Sequence, residues 1–323
     1  MKTTRYIFVA ALALLAAACQ KENASTPDSG VIINATIDNT ETKTVLGEKV
    51  GETIPVLWEE NDDISVFDGN CNNQRFRTYT EGNHVSATFQ FRNGSWADED
   101  SWTSADVYYA IYPGSKGNTY SFSRSGESPV LTMPFEYVQG ITPGYDKSYS
   151  HIIGVGTSDT YVNDNSKTVI DMKFKSLVAL IKFEIIDNSI TGVRFLDQNG
   201  SILGGSKIDV TFGIDGSITT ALSTGANGRK QIFKHEFTST TSEETTTYTP
   251  KSLEPGIYYM AVIPPSQAIK PRLSLTTSTK ETAKNSFENA DYTIDKKGSK
   301  TIELKPGMIL DLGKWSSDGI VTE

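Results

Sequence analysis

The sequence predicts an all-β protein made of two antiparallel β-sandwich domains in series. Two observations carry the class: short runs rich in Val, Ile, Thr, Phe and Tyr that alternate apolar with polar residues, and clusters of Gly, Asn, Asp and Pro that punctuate them at short spacing. A third sets the number of domains. After an export signal, about 300 residues are left, enough for two cores of ordinary size.

Residues 1–18 read as that signal. Lys2 and Arg5 form a basic head, Tyr6 to Ala18 form an uncharged stretch too short to span a bilayer, and small residues lead into Cys19. A cysteine after Leu14-Leu15-Ala16-Ala17-Ala18 predicts a lipoprotein signal, in which the Cys19 thiol accepts a diacylglyceryl group and becomes the first residue of the mature chain. Ordinary cleavage after Ala18 fits the same small residues; the cysteine favours lipidation. Residues 19–30 are polar and small without periodicity, a flexible tether.

Residues 31–187 are expected to form the first sandwich. Val31 to Asp38 places Ile33, Ala35 and Ile37 on one face, the mark of a half-buried strand. Strands follow at Ile64 to Phe67, Arg75 to Tyr79, Ser86 to Phe91, Asp106 to Ile111 and Val130 to Met133, separated by turns such as Asp68-Gly69-Asn70, Asn93-Gly94 and Tyr112-Pro113-Gly114. Thr168 to Ile186 has a helical option through Leu177, Val178, Leu180 and Ile181. Its alternation and its β-branched and aromatic content favour a strand, ended by Asp187-Asn188-Ser189, where the domain boundary is expected. Residues 188–323 repeat the style, with strands near Thr191 to Leu196, Ile208 to Phe212, Ser217 to Ala221, Ile257 to Ile263, Arg272 to Thr277 and Lys300 to Leu304. Asn199-Gly200 reads as a hairpin turn, and the Ser/Thr-dominated stretch Thr238 to Thr249 as a hairpin tip or an exposed strand.

Composition narrows the function. A net charge of −9 with no block of Lys or Arg excludes an electrostatic footprint for nucleic acid. Of the two cysteines, only Cys71 is left once Cys19 is acylated, so the fold rests on packing and no intramolecular disulfide forms. The cluster Glu59-Glu60-Asn61-Asp62-Asp63 with Asp68 is the best candidate for carboxylate chemistry, yet it lacks the alternating ligands of a calcium loop and reads as a solvated turn. His84, His151 and His235 are not at metal-ligand spacing, Cys71 lies in a turn, and Gly154-Val155-Gly156 lacks the third glycine of a nucleotide loop. No metal, no cofactor and no enzymatic activity are therefore expected. Trp96, Trp102, Tyr108, Tyr109, Tyr112, Tyr120, Phe122, Phe135 and Tyr137 crowd the first half, as core residues or, if exposed, as a sugar-stacking platform.

Several phrases, in order behind the signal, resemble the fimbrillin family. In the first half these are Thr42-Lys43-Thr44, Val56-Leu57-Trp58 leading to Asp63-Ile64-Ser65-Val66-Phe67, and Ala110-Ile111-Tyr112-Pro113. In the second they are Leu177 to Phe183, Gly256 to Pro265 and Leu304 to Gly313. The resemblance implies two transthyretin-like β-sandwich domains and an outer-membrane, palmitoylated lipoprotein precursor of type V pili that supports cell adhesion. Its implied partners are other pilin subunits, the outer membrane through lipid on Cys19, and a host glycan or protein receptor. It further implies donor-strand exchange: a protease removes the first strand, here the one carrying Ile33, Ala35 and Ile37, and a neighbouring subunit's strand fills the groove. Family cleavage commonly follows Arg, and no Arg occurs between Arg5 and Arg75, so Lys43 and Lys49 are the candidate processing sites. The carboxyl end, Met308 to Glu323, is available to donate a strand or to finish its own sheet. A lipid-anchored surface carbohydrate-binding protein is the alternative reading.

Overall fold

The computed structural model describes residues 31–38, 45–46, 56–92, 102–115, 119–124, 128–157, 161–162, 168–213, 216–242, 245–279, 288 and 290–321. These are almost all strand and turn. The first half supplies β1 (Val31–Ile37), β2 (Val45–Leu46), β3 (Val56–Leu57), β4 (Asp63–Phe67), β5 (Asn73–Thr78), β6 (Ser86–Phe91), β7 (Val107–Tyr112), β8 (Ser121–Ser123), β9 (Val130–Phe135), β10 (Val138–Gln139), β11 (Ile152–Thr157), β12 (Tyr161–Val162) and β13 (Thr168–Ser176). The second supplies β14 (Ala179–Ile185), β15 (Gly192–Asp197), β16 (Gly204–Phe212), β17 (Ile218–Leu222), β18 (Gly228–Arg229), β19 (Gln231–Lys234), β20 (Phe237–Ser242), β21 (Thr245–Pro250), β22 (Gly256–Val262), β23 (Pro271–Thr276), β24 (Ile294–Lys297), β25 (Ile309–Ser316) and β26 (Gly319–Val321).

The largest sheet closes on itself. Its strands run β1-β6-β5-β4-β7-β11-β13, and β13 pairs back onto β1, so seven strands enclose one interior. Alternation decides which residues enter it: β5 buries Gln74, Phe76 and Thr78 while Asn73, Arg75 and Arg77 face outward, and β6 buries Ala87, Phe89 and Phe91. Trp58 sits at the centre, edge-on to Phe89 (4.9 Å), Phe174 (5.1 Å) and Tyr112 (5.6 Å). Gly154 is where Phe174 needs room, since a Cβ there would stand 2.5 Å from the ring. That, and not nucleotide binding, is the work of the Gly154-Val155-Gly156 pair, because Gly156 likewise lies against the Asp171 carbonyl and Met172.

The outward face of β7 is apolar too. Tyr109 meets Phe212 at 4.5 Å and Phe67 stacks on Phe122 at 4.7 Å, so the barrel packs against the sheet β17-β16-β9-β8 in a continuous core. Two further sheets, β10-β19-β15-β23-β24 and β22-β14-β25-β26, complete the second half. The expected division at residue 187 is crossed by pairings: β9 joins β16 and β10 joins β19, while β14 lies between β22 and β25.

The long strand expected over Thr168 to Ile186 is two strands in different sheets. The break falls at Leu177 and Val178, where one ladder ends and the next begins: Leu177 N–H bonds to the His151 carbonyl in the register of β11, and Gly307 N–H to the Val178 carbonyl in the register of β25. Here the chain passes from barrel to second half. Three pairings are parallel, β1 with β13, β14 with β25 and β10 with β19, where purely antiparallel sandwiches were expected. Asn199-Gly200 does make a turn, with Gly200 at φ 82°, but it joins strands of different sheets and is no hairpin. Asp197 takes its place as organiser, accepting from the Ser201 and Lys270 amides at 3.0 and 2.6 Å. Lys300 to Leu304 makes only a bridge, Ile302 to Ile269. The Ser/Thr-rich stretch is the two-stranded hairpin β20-β21.

Trp58 carries a test of the barrel core. Its side chain is 1 % exposed and its indole N–H has no hydrogen-bond partner among the described residues. Trp58→Ala is expected to cost about 3–5 kcal/mol in urea unfolding, and Trp58→Phe clearly less because no hydrogen bond is lost with the indole.

Candidate functional site

The site the sequence points to is the slot held by β1. Residues Ile32 to Thr36 pair antiparallel with β6, and Val31 to Ile37 pair parallel with β13, two strands that do not pair with each other. Ile33, opposite Phe89 and Ile170, is 0 % exposed; Ala35 and Ile37 are buried beside Met172 and Phe174. The outer face is polar and knitted to its neighbours. Asn34 Nδ2 donates to Asp171 Oδ1 at 3.0 Å, Thr88 Oγ1 donates to Asn34 Oδ1 at 3.3 Å, and the Thr36 and Ser86 hydroxyls lie 3.0 Å apart. Burying an Ile or Val side chain stabilises by about 1.5–3 kcal/mol, and without β1 both flanking strands would present unpaired backbone to water. The three residues singled out in this strand thus come together as the inner face of one insert. Cys19, Lys43 and Lys49 lie outside the described residues.

The acidic cluster is spent on structure. Asp62, 2 % exposed, accepts from the Glu59 amide, from the Tyr112 hydroxyl at 3.1 Å and from Lys147 Nζ at 3.0 Å. Burial first, and then Asp62, hold the Tyr112 hydroxyl far above the ordinary phenol range. Asp63 faces three arginines: Arg77 binds it bidentately at 2.8 and 2.7 Å, Arg92 Nη1 donates at 3.2 Å, and Arg75 also donates to it. Asp68 closes the turn around Cys71, accepting from the Asn70 and Asn72 amides at 2.9 Å. Cys71 is partly buried at φ 65° in that turn.

The histidines do not converge on one another. His84 Nε2 lies 2.7 Å from the Glu81 carbonyl on the surface. His151 and His235 are each pushed down to about 4 by burial, His235 being 2.7 Å from the Tyr292 hydroxyl. No group of three or more His, Cys, Asp or Glu among the described residues is placed to hold a metal ion. Of the aromatics that crowd the first half, Tyr108, Tyr109, Tyr112, Tyr120, Phe122 and Phe135 are buried, and Trp102 is half-buried and stacked on Tyr108 at 5.3 Å. Trp96 lies outside the described residues. No flat aromatic platform forms among the described ones.

The carboxyl end finishes its own sheet: β25 pairs with β14 and turns back as β26, anchored by Trp315, 1 % exposed, with its Nε1 donating to the Leu312 carbonyl at 3.0 Å. Sequence reasoning missed β13 as the partner of β1, because parallel pairing over such a separation leaves no local signal. The alternation Thr168-Val169-Ile170-Asp171-Met172-Lys173-Phe174 was the available clue.

No family model and no curated protein matches this chain. Among solved structures it is similar to proteins of cell adhesion and fimbriae. One described as a cell adhesion protein from Bacteroides ovatus aligns over 90 % of this chain and 94 % of its own at 14 % identity and a TM-score of 0.46. A second from Bacteroides uniformis aligns over 90 % and 93 % at 13 % identity and 0.44. The fimbrial anchor protein Mfa2 from Porphyromonas gingivalis aligns over 88 % and 90 % at 8 % identity and 0.34. No described helix is long and apolar enough to cross a membrane.

Two tests follow from the charges. Buried His151 and His235 titrate in the fold near 4 against an ordinary value of 6.5, so between those values the unfolded chain binds more protons. The stability this contributes is complete above pH 6.5 and is lost as pH falls towards 4; the urea midpoint should drop over that window, and His151→Leu should flatten the drop. Asp63→Ala removes the carboxylate that three guanidiniums share and should cost about 2 kcal/mol by the same measurement, more at low salt than at high.

Proposed function

We propose that this chain is a pilus subunit of fimbrillin type, exported, lipidated on Cys19, assembled at the cell surface and supporting adhesion without catalysis. The observation that carries the reading is β1: an insert of seven residues, Val31–Ile37, hydrogen-bonded on both sides and buried on its inner face, between strands that have no other partner there. Its inner residues Ile33, Ala35 and Ile37 match what donor-strand exchange requires of a removable first strand. Cleavage after Lys43 or Lys49 would release it, and an alternating apolar strand of another subunit would fill the slot. In this reading the two halves are transthyretin-like domains, the partners are other pilin subunits and the outer membrane, and the lipid holds the precursor until processing.

The carboxylates that a hydrolase would use are instead paired with Lys147 and with Arg75, Arg77 and Arg92, which supports a structural role. Mass spectrometry of assembled protein from the cell surface tests the reading. The expected first residue is Thr44 or Val50; assembled subunits that begin at lipidated Cys19 would rule out removal of β1.

A further inference from the structure

The slot that holds β1 is not equally roomy along its length. Ile33 stands level with Phe89 and Ile170, and Ile37 with Phe174, so large apolar side chains meet at both of these levels. Between them, Ala35 stands level with Ala87 and Met172. Trp58 touches both Phe89 (4.9 Å) and Phe174 (5.1 Å), so its indole lies across the level of Ala35, in the room that the methyl groups of Ala35 and Ala87 leave. Met172 has nowhere to retreat. It already fills the space over Gly156, where a Cβ would stand 2.8 Å from its Cγ. Ala35 and Trp58 are each 1 % exposed, so a larger side chain at this level has to displace the core.

The outer face sets a second condition. Asn34 stands level with Asp171 on one side and Thr88 on the other, donating from Nδ2 to Asp171 Oδ1 at 3.0 Å and accepting at Oδ1 from Thr88 Oγ1 at 3.3 Å. Asp171 and Thr88 make no other side-chain hydrogen bond among the described residues. A carboxamide offers a donor and an acceptor on one terminus, which a carboxylate or a hydrocarbon does not. Sliding the strand by two residues would keep its inner face but lose both matches, so the same two levels also fix its register.

We propose that the slot selects its occupant at these two levels, and that the strand replacing β1 comes from a different kind of subunit: a strand ordered large apolar, carboxamide, small, polar, large apolar, running parallel to β13. The strand that the carboxyl end of this chain would offer, β25, does not fit. In one frame Asp311 turns inward; in the other Leu310 or Leu312 falls at the place of Ala35, or Lys314 turns inward. A charge buried there without a partner is costly, and so is a leucine where only a methyl group has room. The inference deepens the donor-strand reading by naming the partner strand, and rests on that reading for a vacated slot on the cell. Selection by a purified chain does not depend on processing in the cell, so the two fail separately.

The test uses the full chain in detergent with one protease site inserted after Lys43, cut so that β1 stays seated without a covalent link to β2. A fluorescent peptide of residues 31–38 is exchanged into the slot and competed with unlabelled peptides, with anisotropy as the readout. The unaltered peptide is expected to compete fully, an Ala35→Ser peptide within about threefold of it, and an Ala35→Leu peptide about tenfold or more weaker. An Asn34→Leu peptide should be about fivefold weaker, and that penalty should vanish in a chain carrying Asp171→Ala with Thr88→Ala, which a general loss of packing would not produce. A peptide of residues 308–316 should not displace the label. Failure of the unaltered peptide to enter, equal binding of the Ala35→Leu or Asn34→Leu peptide, an Asn34→Leu penalty unchanged in the double variant, or displacement by residues 308–316 would each overturn the proposal.

Discussion

Closure of the barrel depends on one strand inserted between two that do not pair with each other. β6 and β13 meet only through β1, whose Ile33 touches the register of both Phe89 and Ile170. The aromatic centre around Trp58 leans on the same wall, since Phe89 comes from β6 and Phe174 from β13. Strand β1 therefore does more than fill space. It holds in one sheet two strands that supply opposite sides of the same core, and its outer polar residues bond to each, through Asp171 on one side and Ser86 and Thr88 on the other.

The remainder of the molecule is arranged so that the barrel need not stand alone. Tyr109 and Phe67 continue its apolar content outward into Phe122 and Phe212, and Leu177-Val178 carries the chain through that contact into β14. Charge is settled locally. Lys147 joins Glu59 to buried Asp62, Arg272 clasps Asp295 at 2.7 Å, and Lys182 meets Asp311 at 2.6 Å. These partly exposed pairs orient loops and edges more than they stabilise, while the apolar interior supplies most of the driving force.

Much of this was legible in the sequence, and what was not has a physical reason. Alternation placed β1, β4, β5 and β6 within a residue or two and identified Ile33, Ala35 and Ile37 as an inner face, because a half-buried strand writes its pattern locally. Thr168 to Ile186 misled for the same reason: both β13 and β14 alternate, and the change of sheet at Leu177 and Val178 is made by apolar residues that look like more of the same strand. Parallel partners leave no turn signature, so the neighbours of β1 and β25 could not be read. Asn199-Gly200 showed that a turn dipeptide fixes the backbone of the turn but not which strands it joins. Short strands such as β8, β10 and β19 carry too few residues for a period to register. The convergence of Arg75, Arg77 and Arg92 on Asp63 needed sheet register, since Arg92 is far along the chain from Asp63 and lies beyond the end of β6.

The parallel run of β1 beside β13 has a mechanical meaning. Tension entering at Val31 and leaving after Ser176 pulls the two strands past each other along their length, so the seven paired positions bear the load together. An antiparallel arrangement under the same pull would open one pair at a time, like a zip. Any strand seated in this slot with the same polarity inherits that resistance.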